Sequence, residues 1–164
     1  MDPANFETLF RLAIEAERKG EELYLRLAER FAHLPRVSEF WRQMTDDERQ
    51  HIRELEDVFN SLKNEERTSP ADPSMVEKAR KVTGYSVAHT LGFIKTLEDA
   101  YQEAHEFEHA EVNELFSYLL RSFLPPDRWK TIVAAQVKNH LLKLMEFSME
   151  FDRGRREGIR ALEG

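Results

Sequence analysis

Asp46–Leu55 reads DDERQHIREL, and the reading of this stretch decides the rest of the chain. With Trp41 and Met44 before it and Phe59 after it, apolar residues recur at intervals of three and four, the period of an α-helix with one buried face. Glu48 and His51 fall on that same face, between Met44 and Leu55. Burying a charge is expensive unless it is paired or bound to an ion. A helix that aims both a carboxylate and an imidazole inward therefore needs a partner for them.

The same period extends in both directions. A first helix is expected from about Asn5 to Arg30, with Phe6, Phe10, Ala13, Glu17, Tyr24 and Leu27 on one stripe and Asp2-Pro3 as its start signal. After a break at AHLPRVS, Ser38 is expected to cap a second helix reaching Phe59. NSLKNEERTSPADPS, polar and interrupted by proline, reads as a connector, with a short helix at PSMVEKARKV beyond it. A third long helix is expected from a Ser86 cap to about Arg121, and a fourth from an Asp127 cap to roughly Arg156. GRREGIRALEG reads as a frayed extension from about residue 153 to residue 164. No strand pattern is visible. Two short turns and one long crossover, from about residue 60 to residue 85, describe two antiparallel helix pairs joined by a traverse. That is the connectivity of a ferritin-like antiparallel four-helix bundle, and the whole chain, 1–164, is expected to be a single all-α domain of this kind.

Each helix repeats the opening puzzle. Glu17 interrupts the first stripe. On the third helix a seven-residue seam runs Leu91, Ile94, Glu98, Tyr101, His105, Glu108, Val112, Leu115 and Leu119, polar in its middle and apolar at both ends. The fourth helix offers Trp129, Val133, Gln136, His140 and Phe147. A lone inward glutamate is usually a rim residue with its carboxylate in water. Four helices each carrying a polar patch near the middle, able to meet at one level, instead suggest a buried metal ion. Carboxylate oxygens with imidazole suit iron, manganese or zinc, and residues three apart on a helix, such as Glu48 and His51, can grip one ion together.

AIEAERKGEELYLRLAERF followed by FWRQMTDDERQHIRELEDVF resembles the first half of the rubrerythrin-like branch of the ferritin-like superfamily. The resemblance implies a two-metal site built from one glutamate on each of two helices and a Glu-x-x-His pair on each of the other two. Glu17 then corresponds to the first-helix ligand, and Glu48 with His51 to the second-helix pair. Sliding the first half onto the second makes Glu98 the third-helix glutamate and His140 the fourth-helix histidine, but Val137 stands where that histidine's glutamate belongs. Gln136 is the nearest polar residue, and His105 or Glu108 would be the compensating ligand. The resemblance implies iron, one or two ions per chain, and redox chemistry: oxidation of ferrous iron or reduction of peroxide. Rubrerythrins supply electrons from a cysteine-ligated iron domain. This chain has no cysteine, so a separate electron donor is expected. The competing reading is a degenerate, non-catalytic bundle serving as a structural or interaction module, which the missing fourth-helix carboxylate favours and the intact first half opposes.

HEFEH, His105 to His109, also matches the H-E-x-x-H pattern of zinc peptidases. Glu108 inside the motif, the lack of a third ligand downstream and the lack of a sheet all count against that reading. A net charge of −7 opposes nucleic-acid binding, and no apolar run is long enough to span a bilayer. No signal peptide is visible, so a cytoplasmic protein is expected. The many phenylalanines, and apolar stripes wider than one seam requires, lead to the expectation of a homodimer.

Overall fold

A computed structural model describes residues 3–110 and 112–150. Over these the chain is helical, its one extended pairing an isolated bridge between Asn5 and Pro70. α1 (Phe6–Arg30) starts where the Asn5 side chain accepts the Thr8 N–H at 2.9 Å, satisfying one of the donors a helix start leaves unpaired. Asn5 is thus the cap of this helix, and Asp2 of the expected Asp2-Pro3 signal lies outside the described residues. α2 (Pro35–Ser61) begins earlier than expected, because Pro35 occupies its first position. Ser38 consequently lies inside the helix and is no cap. Its buried hydroxyl donates to the Ala28 carbonyl at 2.8 Å, tying the start of α2 to the end of α1.

The crossover carries α3 (Asn64–Thr68), α4 (Pro73–Thr83) and α5 (Val87–Leu91). α4 buries Met75, Val76, Ala79 and Val82, and packs on α1 and on α7 (Val112–Phe123). The third bundle helix is not continuous. Ser86 does cap a helix, but only α5; the chain then breaks around Gly92 and restarts as α6 (Leu97–His109). Thr96 accepts the Asp99 N–H at 3.1 Å while Asp99 accepts the Thr96 N–H at 3.1 Å. This reciprocal box is a strong start signal in its own right, and it sets the phase of everything after it. α6 and α7 are separated at Ala110. The fourth bundle helix begins with α8 (Pro126–Val133), in which Pro126 is the first residue, so Asp127 lies in the first turn and is not the cap. Ala134–Lys138 then winds as a π-helix, and an α-helix, α9, covers residues 139–150. The expected end near Arg156 and the C-terminal extension lie outside the described residues.

α1, α2, α6–α7 and α8–α9 make the four-helix bundle. Its apolar interior is in two parts. One gathers Leu23, Tyr24, Leu27, Trp41, Met44, Ala100, Ala104, Phe107 and Leu144. The other gathers Leu9, Phe10, Ala13, Leu55, Val58, Leu115, Phe116, Leu119 and Val137. Burying side chains of this kind stabilises the fold by about 1.5–3 kcal/mol each for the larger ones. On α2 the change from one cluster to the other falls at Glu48 and His51, and on the other bundle helices Glu17, Glu108 and His140 lie close to it. The two apolar cores are separated by a polar layer. Among the described residues no helix is long and apolar enough to cross a membrane.

Candidate metal centre

The polar layer contains two groups of three ligand-type side chains. Glu17, Glu48 and His51 form one; Glu48, Glu108 and His140 form the other. In each, the donor atoms lie within 4.8 Å of one another. Glu48 belongs to both. His51 Nδ1 is 3.4 Å from Glu17 Oε2 and 3.7 Å from Glu48 Oε2. His140 Nε2 is 2.7 Å from Glu108 Oε1 and 2.9 Å from Glu48 Oε1. All five side chains are nearly inaccessible, between 1% and 3% exposed, which excludes the rim-residue alternative for each of them.

The remaining nitrogen of each imidazole has its own acceptor. His51 Nε2 faces the Gln136 main-chain carbonyl at 3.3 Å, and His140 Nδ1 faces Asp47 Oδ2 at 2.9 Å. In neutral rings this pattern puts the N–H on the outward nitrogen and a lone pair on the nitrogen facing the carboxylates, the outer-shell arrangement that metal-ligating histidines use. Lys143 holds Asp47 in turn, with its ammonium 3.0 Å from each carboxylate oxygen. Tyr24 donates its hydroxyl to Glu108, and Asn113 donates to the other Glu108 oxygen at 3.3 Å.

With no ion bound, the layer is charged in conflicting ways. Burial pushes the Glu17 carboxyl well up, and the neighbouring Glu48 pushes it further. Burial also acts to raise Glu48, but hydrogen bonds from Glu17, His140 and His51 outweigh it and hold Glu48 well below the usual carboxylate range. Burial alone would depress both imidazoles. Instead the Glu17 and Glu48 carboxylates raise His51, and Glu108 with Asp47 raises His140. Even so, Glu17 Oε1 and Glu48 Oε2 are buried without a hydrogen-bond partner. Orphaned carboxylate oxygens cost several kcal/mol in a dry interior, and a cation between the two groups would satisfy both. The donor set, three carboxylates and two imidazoles, fits iron or manganese, and zinc as well.

Not every candidate is at this layer. Glu98 is exposed in the first turn of α6, and His105 is exposed one turn before its end. The inward residues of α6 are Ala100, Ala104, Phe107 and Glu108. A seam drawn through the large side chains Glu98, Tyr101 and His105 follows the wrong line, because alanines carry the buried stripe where neighbouring helices come close. Glu108 therefore takes the place expected of Glu98. His105 and His109 have no third ligand-type residue close by among the described residues, and no sheet lies beside them, so the peptidase pattern has no structural support. Val137 is 7% exposed and belongs to the apolar core. Gln136 reaches the layer only through its carbonyl, while its amide donates to Glu54 at 3.0 Å. Asp47, Lys143 and the hydroxyl of Tyr24 are functional neighbours that sequence reasoning missed. Their partners lie on other helices, and no periodicity points to them.

Two local features shape access. Gly20 lies one turn beyond Glu17, where a Cβ would stand 2.8 Å from the Phe107 ring and 3.1 Å from Glu48 Oε2. Glycine lets α1, α2 and α6 close over the layer. A cavity of about 150 Å³ lies between α2 and the fourth helix, lined by Ala135 and by the polar residues Asp47, Gln50, His51, Gln136, Asn139, His140 and Lys143. It reaches both histidines and is large enough for water, a bare ion or a diatomic molecule.

A helical bundle whose core is interrupted by a shared carboxylate and two carboxylate–histidine groups is a ferritin-like protein with a candidate metal centre. Residues 9–122 match the family model of rubrerythrin, and the chain belongs to the rubrerythrin family. No curated protein and no solved structure matches the chain. The family match ends before the fourth bundle helix, the helix that lacks the expected glutamate and contains the π turn.

Proposed function

We propose that the polar layer is a resident iron site and that the protein uses it for redox chemistry, oxidising ferrous iron or reducing peroxide with electrons from a separate donor. The observation that carries this is the sharing of Glu48 between two buried carboxylate–histidine groups. Glu17 and His51 would hold one ion and Glu108 and His140 a second, with Glu48 common to both. Bound iron supplies one-electron exchange with dioxygen or peroxide. The chain's own residues do the rest. Asp47 and the Gln136 carbonyl orient the two imidazoles, Tyr24 and Asn113 orient Glu108, and Phe107 and Phe116 keep bulk water from the layer. The cavity beside Asn139 supplies a small polar route for oxidant and ion.

Three carboxylates balance three of the four charges of two divalent ions, and close divalent ions repel. The first ion is therefore expected to bind tightly and the second more weakly. The test is an anaerobic ferrous titration followed by rapid mixing with dioxygen or hydrogen peroxide. A tight equivalent that is oxidised faster than free iron supports the reading; no bound iron, or bound iron that is inert to both oxidants, refutes the redox role. The second outcome would favour the non-catalytic reading, for which the absence of a fourth-helix carboxylate is the specific motive.

A further inference from the structure

HEFEH is left unused by the buried centre, and its two histidines are arranged for a different task. His105 and His109 are exposed on one face at the end of α6, one helical turn apart, with ring centroids 4.1 Å apart and planes inclined by 22°. His109 Nδ1 lies 2.9 Å from the His105 carbonyl. As donor in that bond it leaves Nε2 as a lone pair directed away from the backbone, the same outer-shell device that fixes a ligating histidine. We propose that His105 and His109 form a surface chelate for a late first-row divalent cation, copper above zinc or nickel, separate from the buried layer.

Two metal–nitrogen bonds of about 2.0–2.1 Å at a tetrahedral or square angle require nitrogens about 2.9–3.4 Å apart. The stacked rings must rotate about their side-chain bonds to bring both in-plane lone pairs onto one ion, a motion open to exposed side chains one helical turn apart. The electrostatics favour a cation. α6 carries Glu98, Asp99, Glu103, Glu106 and Glu108 and no lysine or arginine. The pair also sits at the C-terminal end of α6, where the helix macrodipole is negative. Lys138, across the groove, is the opposing charge, and its long side chain can swing into solvent.

The donor set decides the ion. The buried layer is rich in carboxylate oxygen and suits iron. Here no carboxylate completes a three-residue group with the imidazoles among the described residues. Imidazole-only binding follows the order that peaks at copper. His105 and His109 line a groove of about 440 Å³ together with Tyr101, Leu142 and Met145, and an ion held by them would lie beside it. The Met145 thioether is a soft donor, suited to copper in its reduced state.

The inference does not depend on the proposed redox function and is tested without it. Cupric ion is titrated into the full-length chain, into His105→Gln, into His109→Gln and into the double variant, with electron paramagnetic resonance and calorimetry as readouts. Copper taken up by the buried layer is common to all four and cancels. A chelate predicts that each single variant loses the same equivalent as the double variant, together with the two-nitrogen splitting of its spectrum. Full copper uptake by the double variant, or independent partial losses in the two single variants, would overturn the proposal.

Discussion

Gly20→Ala probes the layer with the smallest possible change. Alanine is the better helix former by about 1 kcal/mol, so the substitution would stabilise α1 if space were free. Space is not free. The new methyl would meet Phe107 Cε1 at 2.8 Å, where something must shift, and the Glu48 carboxylate at 3.1–3.2 Å. Overpacking of this kind costs about 1–3 kcal/mol, so the net change is a loss of about 0–2 kcal/mol. For a chain of this length that corresponds to a Tm lowered by up to about 8 °C. The effect on the site should exceed the effect on the fold. Restoring ordinary contact at 3.4 Å moves Glu48 Oε2 by about 0.3 Å, and metal sites hold their ligand distances within about 0.2 Å. Urea denaturation of the metal-free chain gives the first quantity and competitive cobalt titration gives the second. If Gly20→Ala proves more stable than wild type by about the full helix-propensity gain, with cobalt affinity unchanged, the close approach of α1, α2 and α6 over Glu48 is wrong.

Other consequences follow from the same geometry. Glu48→Ala should remove metal from both positions at once, because Glu48 is shared, whereas Glu17→Ala should spare the Glu108–His140 side; metal content per chain distinguishes them. Asn139→Trp, at the polar cavity, should slow cobalt uptake in stopped-flow absorbance without changing the final stoichiometry, and unchanged uptake would place the route elsewhere. Metal binding should release protons, since Glu17, His51 and His140 all hold theirs more tightly than usual in the metal-free chain; calorimetry in buffers of different ionisation enthalpy counts them. For the metal-free chain the sign follows. The raised histidines contribute stability that is complete below their ordinary value of 6.5 and is lost as pH climbs through their folded values, so denaturation midpoints should fall on the alkaline side. The proposed homodimer, motivated by exposed apolar residues such as Phe93 at 71%, requires sedimentation faster than a monomer.

The first half of the molecule is legible because α1 and α2 are unbroken. A helix that keeps its period for seven turns leaves no doubt about which side Glu17, Glu48 and His51 occupy. The second half hides its register. The Thr96–Asp99 box restarts the third helix, and Ala100 and Ala104 carry its buried face without the bulk that marks a core residue, so the sequence pattern points Glu98 inward and leaves Glu108 as an alternative. Nothing in AAQVK announces a π turn. The proximity of Asp47 to His140 is a property of two helices far apart in sequence, and so belongs to the tertiary structure alone.

The π turn at Ala134–Lys138 makes the count of residues in this segment matter more than their identity. Ala134 and Ala135 are exposed, and substitution there by most side chains should be tolerated. Deleting either one tests the π turn itself. Five residues wound at about 4.4 per turn rotate the chain roughly as far as four residues of plain α-helix, about 400° in each case. A single deletion that lets the segment relax to α-helix should therefore keep His140 in the layer and keep the contacts of α8 with α7. Inserting a residue here should instead turn the rest of the fourth helix by about 100° relative to α8. Descendants of this chain should accordingly show variable letters here and tolerate the loss of one residue ahead of His140, but not the gain of one.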